Sequence, residues 1–174
     1  VLKTLKTHRL MAEKRWDIEV LPAFEITHTP IEDINDLAKE AKKLGAKIVN
    51  VHGETIMEPV VAGTNLAAVS SPYVDILAHP GLISPEEAKI ASENGIFLEV
   101  SGRKGHGLSN GHVVKTASEA GASIILDSDA HEPEDLMTRD YAEKVALGSG
   151  LNLNLTRDLL DRPPISLLKR LKLR

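Results

Sequence analysis

Apolar runs that end on an acid or a histidine recur along this chain at a nearly constant interval, and that regularity restricts the fold more than any other feature. Residues 18–25 end on Glu25, residues 47–52 on His52 and residues 75–79 on His79. Glu25 to His52 and His52 to His79 are each 27 residues, close to the length of one strand-plus-helix unit. A fourth run covers 96–101 and a fifth 124–131, where Ile124, Ile125 and Leu126 lead into Asp127, Ser128, Asp129, Ala130 and His131. Side chains alternate faces in an extended segment, so Asp127, Asp129 and His131 are expected on one side.

The intervals carry helix signals. Ile31, Ile34, Leu37, Ala38, Ala41 and Leu44 lie at i, i+3, i+4 spacing, and Gly45 closes that helix. Ser84-Pro85-Glu86-Glu87 combines a capping residue, proline at the first position and glutamate three after the cap. Further helices are expected over 2–16, 65–69, 112–120 and 133–147, with a helical tail over 153–174 broken at Pro163-Pro164.

Five strands alternating with helices imply a parallel sheet with helical crossovers. Candidate ligands then fall at the same end of successive strands. A complete (β/α)8 barrel takes roughly 250 residues, and this chain has 174. No glycine-rich dinucleotide fingerprint follows any strand, which disfavours a doubly wound sheet. The expectation is one α/β domain over 1–174, a barrel-like sheet without its first strands. The strand ending at Glu25 would be an open edge, and native proteins cover such edges, so a homo-oligomer or another segment is expected there.

Composition narrows the chemistry. Cysteine is absent, which removes disulfides and thiolate metal sites and leaves His and carboxylate as metal donors. Glu25, His52, His79, Asp129 and His131 form such a set, suited to zinc, manganese or iron. The formal charge of −4 gives no reason to expect a nucleic-acid polyanion. No apolar run approaches ~20 residues, so no membrane span is expected and the chain is read as cytoplasmic. It opens on Val1, without a signal-peptide pattern, and is read as a piece of a longer chain.

The stretches His52-Gly53-Glu54, Leu77-Ala78-His79-Pro80-Gly81 and Ser128-Asp129-Ala130-His131 resemble motifs of the polymerase and histidinol phosphatase (PHP) family. Residues 21–148 are similar to an archaeal-type branch of it, which also shows Glu25 to Pro30 and the loop Arg103-Lys104-Gly105-His106. The resemblance implies a distorted (β/α)7 TIM-like barrel, here N-terminally incomplete. It also implies a metal-dependent phosphoesterase with up to three divalent ions of Zn, Mn, Fe or Mg. Glu25 would bridge metals, His52 and His79 would ligate one ion, and Asp129 and His131 would reach the others. The family's Asp-x-His-x-His strand and a second histidine-bearing strand are not in this sequence. About one tightly bound ion is therefore expected.

In that reading Asp129, His131 and Arg103 are catalytic, and Ser101, Arg103, Lys104 and His106 bind substrate. Arginine offers a planar fork to phosphate oxygens, and glycines let backbone amides approach an anion. His28, Glu54 and Glu99 would orient the ligating groups, whereas His8 and His112 are read as structural. The resemblance suggests a small phosphomonoester such as histidinol phosphate as substrate. The alternatives are a PHP-type nuclease, for which stacking aromatics are scarce, and a metal-poor scaffold binding RNA or protein. The basic tail Lys169, Arg170, Lys172 and Arg174 would serve the scaffold.

Overall fold

A computed structural model describes residues 2–172. Arg174 of the basic tail lies outside the described residues. The five expected strands form: β1 (Ala23–Ile26), β2 (Ile48–His52), β3 (Ile76–Ala78), β4 (Phe97–Ser101) and β5 (Ile124–Asp127). They make one all-parallel sheet in the order β1-β2-β3-β4-β5. The chain opens with helix α1 (Leu2–Arg15), and α2 (Ile34–Lys43), α3 (Thr64–Ser70), α4 (Pro85–Asn94) and α5 (Asn110–Ala120) make the crossovers. After β5 come α6 (Arg139–Gly148), α7 (Leu153–Asp161) and α8 (Pro163–Arg170).

The sheet is open, and this corrects the expected barrel. Among the described residues β1 and β5 each pair on one side only, so no ring closes. The two faces of the sheet explain what replaces closure. Val49, Val51, Leu77 and Leu98 point to one face and pack on Ile34, Ala38, Val69, Ala88, Ala91 and Val113 of the crossover helices. On the other face Ile76, Phe97 and Ile125 meet Leu167 of α8, with Ile48 and Leu171 beside them. A barrel would bury that second face against its own strands. Here the C-terminal helix covers its lower half, and Arg170 anchors the helix by donating to the Gly95 and Val74 carbonyls.

That covered half ends where the apolar residues end. Along the same face, nearer the C-terminal strand ends, stand Glu25, Asn50, His52, Glu99, Ser101 and Asp127. β1, β2, β4 and β5 are thus apolar on both faces at their start and polar on one face towards their finish. Leu77 and Leu98 are fully buried on the helix side, each contributing about 1.5–3 kcal/mol.

Local signals are realised with some shifts. Ser84 caps α4: the Glu87 amide donates to Ser84 Oγ at 3.2 Å, and the Ser84 amide donates to Glu87 Oε2 at 2.8 Å. The helix expected over 31–44 starts with a 3-10 turn, Ile31–Asp33. Ile34, Ala38 and Ala41 face the core, but Leu37 and Leu44 are exposed. The segment expected as one helix over 133–147 is interrupted, because Thr138 starts α6 anew by accepting from the Tyr141 amide. No helix among the described residues is long and apolar enough to cross a membrane.

Candidate metal centre

The ends of β1, β2 and β3 bring Glu25, His52 and His79 together. Register pairs Glu25 with Asn50, whose Nδ2 donates to Glu25 Oε2 at 2.8 Å and aims the carboxylate. Glu25 Oε1 stands 3.5 Å from His52 Nδ1, and the same nitrogen lies 2.9 Å from His79 Nε2. One donor atom from each of the three residues falls within 4.8 Å of the others. His52 Nε2 faces the Glu58 carbonyl at 3.3 Å, which fixes the ring and turns Nδ1 inward.

A second group shares His79. His79, His106 and Asp129 also present donor atoms within 4.8 Å of one another. The His79 and His106 rings stack with centroids 4.3 Å apart. His79 Nδ1 lies 3.8 Å from Asp129 Oδ2. It also lies 3.1 Å from Glu99 Oε2, yet without hydrogen-bond alignment, so Nδ1 is a buried nitrogen with no partner. Glu99 Oε2 instead accepts from the His79 amide at 2.7 Å, and Glu99 Oε1 is likewise unpartnered. Orphaned buried polar atoms are rare in folded proteins and call for an explanation. An imidazole and carboxylate set of this kind fits a divalent ion.

The electrostatics favour the ligating forms of Glu25, His79 and His106, and oppose that of His52. Burial, then the neighbouring His52 charge, holds His79 below its ordinary range. Burial and His79 do the same for His106. Burial works against His52 charging too, but Glu25 and the Glu58 carbonyl outweigh it and raise that histidine. For Glu25 burial is opposed by His52 and His79, and the net shift is downward. Burial pushes Glu99 up to about 7. Asp127 is raised well above its ordinary range by burial and by the neighbouring Glu99 charge.

Backbone strain marks the same place. His28, His79 and Asp129 have φ of 50°, 29° and 46°, a region L-residues rarely occupy, and each sits just beyond the end of β1, β3 or β5. Such residues cost about 1–3 kcal/mol each and cluster at functional sites. The turn at Asp129 also corrects the expected alternation. β5 ends at Asp127, whose Oδ1 accepts from the Asp129 amide at 3.0 Å, so Asp127 stays buried while Asp129 swings to the histidines.

The other sequence candidates spread around this centre. His131 is not drawn into either group. It lies exposed at the rim, with Nδ1 3.6 Å from Asp129 Oδ1. Arg103 Nη1 lies 3.0 Å from His131 Nε2 and 3.4 Å from Asp129 Oδ2. Ser101 is buried, and its hydroxyl accepts from the Arg103 amide at 3.3 Å. Arg103, exposed Lys104, Gly105 and Tyr141 line an adjoining cleft of about 630 Å³. The His28 ring lies tilted outside His52, 5.9 Å between centroids. Glu54 turns away from the histidines and accepts from the Gly63 and Asn65 amides at the start of α3. His112 Nε2 donates to the Ile83 carbonyl at 2.7 Å. The sequence reading placed His106 in the substrate loop and gave Glu58 no role. Nothing along the chain signals that residues some fifty positions apart, Thr55 and His106, meet at 2.9 Å.

Comparison with known proteins supports part of this reading. No protein-family model matches the chain. It is 47% identical over 160 residues to the uncharacterized protein MJ1295 of Methanocaldococcus jannaschii, covering 91% of this chain and 73% of that protein. It is 32% identical over 164 residues to a probable phosphatase of Thermoanaerobacter sp. strain X514, covering 84% of this chain and 66% of the relative. A probable phosphatase of Caldanaerobacter subterraneus subsp. tengcongensis is 30% identical over 170 residues, with coverage of 86% and 67%. A chain in the cryo-EM structure of archaeal Ribonuclease P with mature tRNA superposes with a TM-score of 0.75 at 16% identity, covering 98% of this chain and 75% of that one. That last likeness is one of fold, carried on this side by the open parallel sheet rather than by the expected barrel. The chain belongs to the family of the M. jannaschii protein MJ1295, whose more distant relatives are named probable phosphatases.

Proposed function

We propose that this chain hydrolyses a small phosphomonoester with the help of a divalent ion held by Glu25, His52 and His79, in the manner of PHP-family phosphoesterases. The observation that carries the reading is the buried imidazole pair at the strand ends, with its facing carboxylate, in a chain related to probable phosphatases. Bound there, a divalent ion lowers the pKa of a coordinated water towards ~7 and offsets phosphate charge.

The chain's own residues supply the rest. Asn50 holds the Glu25 carboxylate in place, and the Glu58 carbonyl holds His52. Arg103 presents its guanidinium between Asp129 and His131 and meets the phosphoryl oxygens. His131, exposed at the rim beside Asp129, passes a proton to the leaving group. The cleft beside Arg103 is within the roughly 300–1,000 Å³ of small-molecule sites and takes the leaving group. Dialysis against a chelator should abolish hydrolysis of p-nitrophenyl phosphate, and added Mn²⁺ or Zn²⁺ should restore it. Full activity in metal-free protein would sink the proposal.

Arg103 separates substrate binding from metal binding. Arg103→Ala should lower kcat/KM for phosphomonoesters by about 10–100-fold, the worth of a charge-assisted hydrogen bond, with metal content unchanged. Loss of metal with activity per bound ion preserved would show that Arg103 has the other role.

A further inference from the structure

The cleft beside the strand ends is lined by two cationic side chains and by no acidic one. Its walls come from the loop 101–111 and from α6, through Tyr141 and Val145. Arg103 and Lys104 are the charged residues among those that line it. They are neighbours in sequence, yet their charges part. The Arg103 guanidinium leaves for the metal centre, where Nη1 lies 3.4 Å from Asp129 Oδ2 and 3.0 Å from His131 Nε2. Neither Asp129 nor His131 lines the cleft. The exposed Lys104 side chain makes no hydrogen bond or ion pair with any other described residue, so its charge is left to the cleft.

The loop backbone adds to the same sign. The Gly107 and Leu108 amides are taken up by the Arg103 and Gly105 carbonyls at 3.3 and 3.2 Å. The Arg103 amide is taken up by Ser101 Oγ. The Lys104 and Gly105 amides find no acceptor among the described residues. Consecutive amides left open in a turn favour an anion beside them. A volume of about 630 Å³ has room for the leaving group of a small ester beyond the phosphoryl itself.

We infer that Lys104 selects phosphomonoesters whose leaving group carries a negative charge, and disfavours those whose leaving group carries an amine. Arg103 and Lys104 then divide the substrate between them, Arg103 at the transferred phosphoryl and Lys104 at the far end. Histidinol phosphate, the substrate that the family resemblance suggests, has an amine on its leaving group and falls on the disfavoured side. The inference rests on the phosphomonoester reading above and names the substrate class of the same site.

The test is kcat/KM of the full chain with Mn²⁺, read as released phosphate, on three esters that differ in leaving-group charge. 3-Phosphoglycerate should exceed glycerol 3-phosphate by about 5–10-fold, a charge-assisted contact weakened by solvent, and O-phosphoethanolamine should be the poorest. Fructose 1,6-bisphosphate against fructose 6-phosphate repeats the comparison with a second phosphate in place of the carboxylate; a preference confined to one pair identifies the anion and supports the inference. Lys104→Gln should bring the ratio of 3-phosphoglycerate to glycerol 3-phosphate towards one, Lys104→Arg should keep most of it, and Lys104→Glu should place O-phosphoethanolamine above 3-phosphoglycerate. Circular dichroism checks folding of the variants. Hydrolysis of p-nitrophenyl phosphate without preference for the anionic ester of either pair overturns the inference alone, as does a preference that survives Lys104→Glu. Failure to hydrolyse any of these esters overturns the phosphomonoester reading, and this inference with it.

Discussion

His79→Ala is expected to lose its tightly bound divalent ion and nearly all phosphatase activity while remaining folded. His79 is the residue on which both donor groups converge: Nε2 faces His52, and the ring touches His106 and Asp129. Even outer partners of metal-bound histidines are worth about 10–100-fold in affinity, so losing an inner donor should cost at least about 100-fold. The fold should tolerate the change, because the side chain removed has a buried nitrogen without a partner. Its amide bond to Glu99 belongs to the backbone and survives. Metal analysis after dialysis reads the first effect, and thermal melting of the metal-free protein reads the second. Retention of wild-type metal by His79→Ala would show that the centre is built from other residues.

Gly81→Ala should be among the most damaging single-atom changes in the chain, through backbone rather than ligands. Gly81 has φ of 61°, and a Cβ there would lie 2.0 Å from the Glu54 carbonyl oxygen and 2.8 Å from its carbon. Backbone cannot rotate away as a flexible side chain can. The turn that holds Gly81 is also tied to the loop after β2. The Gly53 amide donates to the Ala78 carbonyl at 2.9 Å, and Asn65 Nδ2 donates to the Pro80 carbonyl at 2.9 Å. Relief of the clash must therefore move residues 53–58, which carry Thr55 and Glu58. A loss of about 3 kcal/mol is expected, combining left-handed strain with overpacking. For a chain of this size that is a fall in Tm of about 6–12 °C. Metal affinity should fall with it, by about tenfold or more. A Tm within two degrees of wild type, measured by differential scanning calorimetry, would show that the turn relaxes freely and does not position the site.

Strand number, parallel pairing and the end of the sheet that carries chemistry were legible in the sequence. The reason is local. The apolar runs are short, β-branched and bounded by glycine or proline, and α4 carries its own start and stop signals at Ser84 and Gly95. Parallel pairing with short crossovers then leaves few topologies, and Glu25, His52 and His79 fall in line because their spacing equals the repeat.

Residue chemistry along the chain thus determined a parallel α/β sheet and a histidine and carboxylate cluster at the strand ends. Tertiary structure alone decided whether the sheet closes, because that depends on what covers its second face. Leu167 and Leu171 do so, from a helix that reads in sequence as a tail. It alone decided that β5 stops at Asp127, since the left-handed turn at Asp129 is held by neighbours rather than by its own propensity. It also separated His106 from the substrate loop and His131 from the inner donors. Period and propensity act over a few residues, whereas burial against Thr55 or exposure beside Arg103 is set by segments tens of residues away.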